Sequence, residues 1–166
     1  MAAPVSYSVE GEQYVAVVSG YGGGFGLGIG TDQPVRRPNG RLLAFRLGGT
    51  ATLPDYPQSL APLVHPTERF TDEQVNEGRL LYTQQCYRCH GAGAQSGGVL
   101  PDLRRSAALS DRAAWGAIVH DGALESRGMI GFKAWLNPQQ IDSIRAFVAL
   151  KAKIAADRHE PVASAR

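Results

Sequence analysis

The feature that most constrains this chain is the stretch Cys-Tyr-Arg-Cys-His at residues 86–90. It contains both cysteines of a 166-residue sequence, and a histidine follows the second one directly. A disulfide across so short a loop would constrain almost none of the chain. The Cys-x-x-Cys-His pattern is instead typical of c-type haem attachment. Thiols one helical turn apart can each form a thioether with a vinyl group of one macrocycle, and His90 then projects its imidazole towards the iron.

Three other uses of the cysteine pair fit the sequence less well. A structural zinc site needs four ligands, yet the other histidines are scattered, at His65, His120 and His159. A thioredoxin-like redox pair belongs to a βαβ unit, whereas this pair ends a predicted helix. A chance pattern of two reduced structural thiols is the third alternative. Cys86 and Cys89 are therefore predicted to hold one covalent haem c.

Met129 is the candidate for the other face of the iron. Apart from Met1 it is the only methionine, and it lies in the glycine-flanked stretch SRGMIGF. His120 is a rival, but a solvated position at the end of a predicted helix suits it better. A His90/Met129 pair makes a six-coordinate iron with a raised reduction potential. Because no coordination position stays open, electron transfer is favoured over chemistry on O₂ or peroxide.

Residues 101–105 are predicted to lie in the same pocket. The carbonyl of Pro101 is placed to accept from Nδ1–H of His90 and so to fix the tautomer of the imidazole. Arg104 and Arg105 are candidates for contacts with a haem propionate, since guanidinium pairs well with carboxylate. A solvated basic turn is the alternative for either arginine.

The second half of the chain is predicted to be helical. Thr-Asp-Glu-Gln at 71–74 is a capping box that opens a helix reaching about Gln85. Ser110 is expected to cap a second helix over residues 111–120. Asn-Pro-Gln-Gln at 137–140 opens the last helix with a cap and a first-turn proline.

One face of the first of these helices carries Gly78, Tyr82 and Cys86, which are spaced by four residues. A glycine on such a face allows another helix to cross closely. The last helix offers Phe147 as the aromatic side chain that would meet this glycine.

Residues 1–48 are predicted to form β-structure, with strands at 5–9, 13–19 and 41–47. Seven of the eleven residues at 20–30 are glycine, which indicates a flexible loop or a close backbone approach to a flat group. Three short strands cannot bury both of their faces. The last two nevertheless carry apolar residues at successive positions, as strands covered on both sides do. Their neighbours in a larger sheet are therefore expected to lie outside this chain.

Residues 49–66 contain four prolines and are predicted to be an extended linker between the β segment and a helical domain over 67–166. The formal net charge of +2, with no dense lysine or arginine stripe, excludes a typical polyanion binder. No apolar run approaches the roughly 18 residues of a membrane span. The N-terminus lacks the basic and apolar regions of a secretory signal.

Four stretches, GRLLYTQQCYRCHG, GVLPDLRRS, GALESRGMIGF and IRAFV, resemble the C-terminal class I cytochrome c domain of quinohaemoprotein alcohol dehydrogenases. In that family an eight-bladed propeller holds pyrroloquinoline quinone (PQQ) in the periplasm. PVSYSVEGEQYVAVVSGYGGGFGL and NGRLLAFRLGGTATLP are similar to the last blade and its exit into the linker. The resemblance covers nearly the whole chain. It implies a mainly α fold, a class I cytochrome c helical domain preceded by a short antiparallel β segment and a proline-rich linker.

The resemblance also implies roles for individual residues. Cys86 and Cys89 would be the covalent haem attachments, and His90 and Met129 the axial ligands. Three glycines would approach PQQ in a complete propeller: Gly22, Gly23 and Gly24. The other blades, the catalytic aspartate, the calcium ligands and the adjacent-cysteine disulfide of the family are absent from this sequence. PQQ and calcium are therefore expected only in an intact parent enzyme, and no activity is expected from this chain alone.

The resulting hypothesis is a haem domain severed from a periplasmic PQQ-dependent oxidoreductase. Electrons taken from an alcohol by PQQ would pass to the haem and then to an external acceptor, such as a blue-copper protein or another cytochrome. Two alternatives remain: a stand-alone soluble c-type cytochrome, and a subunit that completes a propeller in another polypeptide.

Overall fold

The computed structural model describes residues 3–20, 40–54, 61–95 and 100–158, in which a small sheet is followed by a helical body. The strands are β1 (Val5–Val9), β2 (Glu12–Ser19) and β3 (Arg41–Arg46), and the α-helices are α1 (Asp72–Gln85), α2 (Tyr87–His90), α3 (Arg112–Val119) and α4 (Pro138–Asp157). Three short 3₁₀ helices span Leu103–Arg105, Ala107–Ser110 and Glu125–Arg127. The predicted fold, mainly helical after a short antiparallel β segment, is confirmed.

The three strands form one antiparallel sheet in the order β1-β2-β3. Tyr7 of β1 is opposite Tyr14 of β2, and their rings stack with centroids 5.4 Å apart. Every strand residue is exposed or half-buried, although the sequence favoured strands covered on both sides. The side chains of Leu42 and Phe45, for example, are 72% and 56% exposed. The described chain thus leaves this sheet uncovered.

Helix α1 begins as the sequence predicts. The Thr71 hydroxyl accepts from the amide of Gln74 (3.2 Å), and the Gln74 side chain accepts from the amide of Thr71 (3.0 Å). These reciprocal bonds satisfy two amides that the first turn leaves without intrahelical partners. Glu73 lies in this first turn, where bonds from its own backbone amide and from Thr71 lower the pKa of its carboxyl.

The crossing of α1 over α4 is the closest contact in the helical body. A Cβ atom on Gly78 would lie 1.7 Å from the carbonyl oxygen of Ser143, so only a hydrogen fits there. One turn further along each helix, the rings of Tyr82 and Phe147 lie 5.0 Å apart. The predicted crossing is therefore present, but Phe147 meets Tyr82 and not Gly78. The glycine instead contacts the α4 backbone.

Helix α3 is capped by Asp111, and the prediction that Ser110 caps it is wrong. The Asp111 carboxylate accepts from the amide of Ala114 (3.0 Å), and its backbone is extended, as an N-cap requires. Ser110 is instead the last residue of the preceding 3₁₀ helix, so its backbone already belongs to a different turn. The helix ends at Val119, so that His120 is its C-cap.

Helix α4 carries the largest share of the buried side chains. It opens with the predicted capping box, in which Asn137 and Gln140 exchange bonds of 2.9 and 3.0 Å, and with Pro138 in the first turn. The indole of Trp115 donates to the carbonyl of Ile141 (3.1 Å), which fastens α3 to α4. The apolar cluster at the centre of the molecule is drawn entirely from residues 64–152.

A buried arginine lies within this apolar helix. The side chain of Arg145 is 1% exposed and donates to Asp142 (2.8 Å), to the carbonyl of Leu109 (3.3 Å) and to the carboxylate of Glu68. Burial alone would lower the pKa of Arg145, but the bonds to Glu68 and Asp142 outweigh it and raise the pKa. The charge is retained because its partners replace the lost water.

The end of the predicted linker belongs structurally to the helical body. The amide of Val64 donates to the carbonyl of Arg104 (2.9 Å), and the Arg105 side chain donates to the carbonyl of Ala61. Val64 and Phe70 also pack against the central cluster. Across the described residues, no helix combines the length and apolarity that crossing a membrane requires.

We expect Gly78→Ala to lower the free energy of unfolding by about 3 kcal/mol, the upper end of overpacking costs. The added Cβ would overlap the Ser143 carbonyl unless α1 and α4 separate. Gly116→Ala is the matched control, since nothing lies within 4 Å of a Cβ at this position in α3. It should raise the free energy by roughly 0.5–1 kcal/mol. Urea unfolding compares the two, and equal changes would contradict the close crossing.

Arg145→Met should lower the free energy of unfolding by about 3 kcal/mol, because it removes the buried partner of the Asp142 carboxylate and leaves only the exposed Arg112 beside it. Arg112→Ala is the control: Arg112 lies 3.5 Å from the same carboxylate but is 66% exposed. Its loss should cost less than about 1 kcal/mol. Urea unfolding of both variants measures the difference. Similar costs would show that burial does not set the strength of these pairs.

Candidate haem site

The Cys-x-x-Cys-His segment forms a single helical turn that continues from α1. Cys86 closes α1, and its own amide donates to the carbonyl of Tyr82 (2.8 Å). The amides of Cys89 and His90 both donate to the carbonyl of Cys86, at 3.1 and 2.9 Å. The two cysteines are therefore one turn apart, as the attachment of two adjacent substituents of one ring requires.

The two thiols differ in environment. Both are reduced, with Cys86 buried and Cys89 exposed. Burial, followed by the proximity of Cys89, raises the pKa of the Cys86 thiol to about 12. At neutral pH Cys86 is thus a neutral thiol. Within the described ranges no three His, Cys, Asp or Glu side chains are grouped closely enough to bind a metal ion.

His90 is buried and oriented by the chain that follows it. Its Nδ1 lies 3.4 Å from the carbonyl oxygen of Pro101, at the long end of the hydrogen-bonding range, and this is the contact that the sequence predicted. Burial lowers the pKa of His90, with the Pro101 contact opposing it, so the neutral imidazole is favoured. When Nδ1 faces the carbonyl, Nε2 is the nitrogen left to ligate a metal.

Tyr82 fixes the turn that follows His90. Its hydroxyl donates to the carbonyl of Gly91 at 2.6 Å in a buried position. Gly91 has a φ of 73°, a left-handed value that glycine adopts without strain. Burial raises the pKa of Tyr82 well above its ordinary value, so the phenol stays a donor. The spacing in α1 placed Tyr82 on this face, but nothing in the sequence indicated its partner.

Arg104 and Arg105, the predicted propionate contacts, lie against Asp102. The buried guanidinium of Arg104 forms a fork on the Asp102 carboxylate, with Nε at 2.9 Å from Oδ1 and Nη2 at 2.8 Å from Oδ2. Nε of Arg105 is 3.4 Å from the same carboxylate. Sequence reasoning missed Asp102, although the run Asp-Leu-Arg-Arg places both cations within three residues of it.

Met129 lies in the loop between the third 3₁₀ helix and α4. It is half-buried and packs against the apolar cluster to which Cys86 belongs. Its rival His120 closes α3, where Nδ1 is 2.6 Å from a carboxylate oxygen of Asp121. The three glycines predicted to approach PQQ, Gly22, Gly23 and Gly24, lie outside the described residues, as does His159.

The donor set fits a c-type haem. Two reduced thiols one turn apart match two thioether links, and a neutral buried imidazole comes directly after them. Met129, which carries a thioether, packs against the cluster to which Cys86 belongs. Such donors suit a His/Met iron site, in which the metal is bound from both faces.

Comparison with known proteins agrees with this chemistry. The profile of the family described as "Cytochrome C oxidase, cbb3-type, subunit III" matches residues 73–148. The dehydrogenase subunit of the quinone-dependent alcohol dehydrogenase of Gluconobacter oxydans is 36% identical over 160 residues, covering 95% of this chain and 21% of that protein. Quinohemoprotein alcohol dehydrogenase ADH IIB of Pseudomonas putida is 38% identical over 152 residues, covering 89% and 22%.

The fold agrees as well. The solved structure of quinohemoprotein alcohol dehydrogenase ADHIIG from Pseudomonas putida matches with a TM-score of 0.75 at 36% identity, covering 95% of this chain and 23% of that one. The chain thus spans about a fifth of the length of the curated relatives it matches. It is a homologue of the cytochrome c region of the quinohaemoprotein alcohol dehydrogenases, and its helical part is a cytochrome c domain.

Proposed function

We propose that this chain carries electrons through one haem c, covalently held by Cys86 and Cys89, with His90 and Met129 as axial ligands. The observation that carries the proposal is the helical turn that sets both thiols beside a buried, neutral imidazole. When bound, the haem supplies a one-electron redox couple. The protein would exclude water from that group and hold it in one orientation between His90 and Met129.

The electron-transfer role follows from the ligand pair. His90 and Met129 together fill both axial positions, so neither O₂ nor a substrate has a place to bind the iron. A thioether ligand raises the reduction potential relative to a second imidazole or water. Burial of His90 and of Cys86 adds to this by keeping water from the attachment site.

The electron donor is inferred from the relatives and from the sheet. Relatives of this chain are named quinohemoprotein alcohol dehydrogenases, and it spans about a fifth of their length. The uncovered apolar strands supply a surface suited to a larger sheet, so residues 1–48 would complete a PQQ-holding propeller, in cis or in trans. A stand-alone cytochrome would gain nothing from such exposed strands.

In this arrangement residues 49–66 link the blade to the cytochrome domain at 67–166. PQQ and calcium belong to the propeller portion, with Gly22, Gly23 and Gly24 close to the quinone. Electrons leave the haem for an external acceptor, a blue-copper protein or another cytochrome. The attachment chemistry and the relatives support a periplasmic location.

The covalent attachment is tested by substituting the cysteines. After export and maturation, the full chain should retain haem staining on a denaturing gel, because thioethers survive denaturation. The double variant Cys86→Ala/Cys89→Ala should lose essentially all of the stain, while His65→Ala, an exposed histidine elsewhere, should keep it. Persistent stain in the double variant, or none in the unaltered chain, would contradict the proposal.

The axial ligand is tested by electrochemistry. Met129→His should lower the reduction potential by at least about 59 mV, the change that corresponds to tenfold in a one-electron equilibrium. Ile130→Leu, a conservative change at the exposed neighbouring residue, should leave it unchanged. If His120→Ala alters the haem spectrum while Met129→His does not, His120 is the ligand and the assignment of Met129 is wrong.

A further inference from the structure

The loop that carries Met129 is closed at its base by backbone hydrogen bonds. The amide of Phe132 donates to the carbonyl of Val119 (2.9 Å), and that of Lys133 donates to the carbonyl of His120 (3.0 Å). Residues 121–131 therefore leave α3 and return to the same point, as compact surface loops do. Contacts made within the loop add to the packing of Met129 against the apolar cluster in setting its shape.

Inside the loop, one side chain reaches across the gap. The Glu125 carboxylate accepts from the amide of Gly131 at 3.2 Å, although Glu125 itself lies on the exposed side of the loop. Its Oε1, Cδ and Cγ occupy the space over Gly122, where an added Cβ would come within 2.5–2.9 Å of them. This hydrogen bond joins the first half of the loop to its second.

Two glycines make this contact sterically feasible. A Cβ on Gly131 would lie 2.8–2.9 Å from the backbone of Gly122 and from the carbonyl oxygen of His120. Gly122 has a φ of 79°, in the left-handed region. The two halves of the loop can approach this closely only because neither glycine carries a side chain.

Met129 lies in the chain between Glu125 and Gly131, the two residues that this hydrogen bond joins. Its amide donates to the carbonyl of Leu124 (3.2 Å), directly before Glu125, and Gly131 follows two residues later. A methionine side chain has three rotatable bonds and does not define a position by itself. The backbone of the loop consequently limits where its sulfur can reach, and packing against the apolar cluster restricts it further.

From this geometry we infer that Glu125 is a positioning residue for Met129: its bond to the Gly131 amide holds the loop in the conformation that keeps the thioether on the iron. The inference rests on the proposed ligation by Met129. Glu125 would act through the Gly131 amide and not as a ligand itself.

The test uses imidazole as a competitor for the axial position in the ferric, haem-loaded full chain. Apparent imidazole affinity scales with the fraction of molecules in which Met129 is off the iron. Glu125→Ala should raise that affinity roughly tenfold, the usual effect of one lost bond to a charged acceptor. Glu125→Gln keeps an oxygen acceptor and should stay close to the unaltered protein. Ser126→Ala, an exposed truncation in the same turn, should change nothing.

Amide hydrogen exchange gives a second readout that does not depend on the iron. Exchange of the Gly131 amide should accelerate in Glu125→Ala and remain slow in Glu125→Gln and Ser126→Ala. Gly131→Ala disturbs the same Glu125–Gly131 contact without removing a charge, because its Cβ would overlap the backbone of Gly122. It should therefore raise imidazole affinity as Glu125→Ala does. It also keeps the inference testable if Glu125→Ala fails to accumulate.

Two results separate this inference from the proposed function. If Met129→Ala raises imidazole affinity but Glu125→Ala and Gly131→Ala do not, Met129 is the ligand and Glu125 does not position it. If Met129→Ala itself leaves imidazole affinity unchanged, the ligation is wrong and the inference falls with it. A rise in all three, with Glu125→Gln unaffected, supports both.

Discussion

The contact between Gly78 and the carbonyl of Ser143 governs the arrangement of the helical body. It brings the axes of α1 and α4 closer than any side chain would allow, and this proximity pairs Tyr82 with Phe147 one turn later. Tyr82 in turn holds the carbonyl of Gly91. The position of the turn at residues 86–90 thus depends on the helix crossing, and so does the haem attachment that we propose there.

Buried arginine–aspartate pairs lie at two places around this core. Arg145 is buried with Asp142 and reaches Glu68, which joins the segment before α1 to the middle of α4. Arg104 and Asp102 form a second buried pair on the turn after Pro101. Buried pairs of this kind contribute little net stability compared with apolar side chains, but they tolerate only one arrangement. The second pair lies directly after Pro101, whose carbonyl faces Nδ1 of His90.

Local signals in the sequence predicted the elements well, and long-range contacts poorly. The capping boxes at Thr71 and Asn137 and the spacing of Cys86, Cys89 and His90 are complete within a few residues, so they could be read directly. The cap at Asp111 was misplaced by one residue because Ser110 is an equally good cap in isolation. The contact of Glu125 with the Gly131 amide depends on how a loop returns on itself, and it has no periodic signature. The fork of Arg104 on Asp102 is local, but residue type alone did not indicate which carboxylate the guanidinium would bind.

Among the described residues the sheet and the helical body do not share a core, since the apolar cluster is drawn from residues 64–152 and every residue of β1, β2 and β3 is exposed or half-buried. Unfolding of this chain is therefore not a single cooperative event. We expect the helical body to melt as one unit, and the sheet to open separately and at little cost. The open edges of β1 and β3 can meanwhile pair with other strands, so association depends on concentration even when the helical body is fully folded.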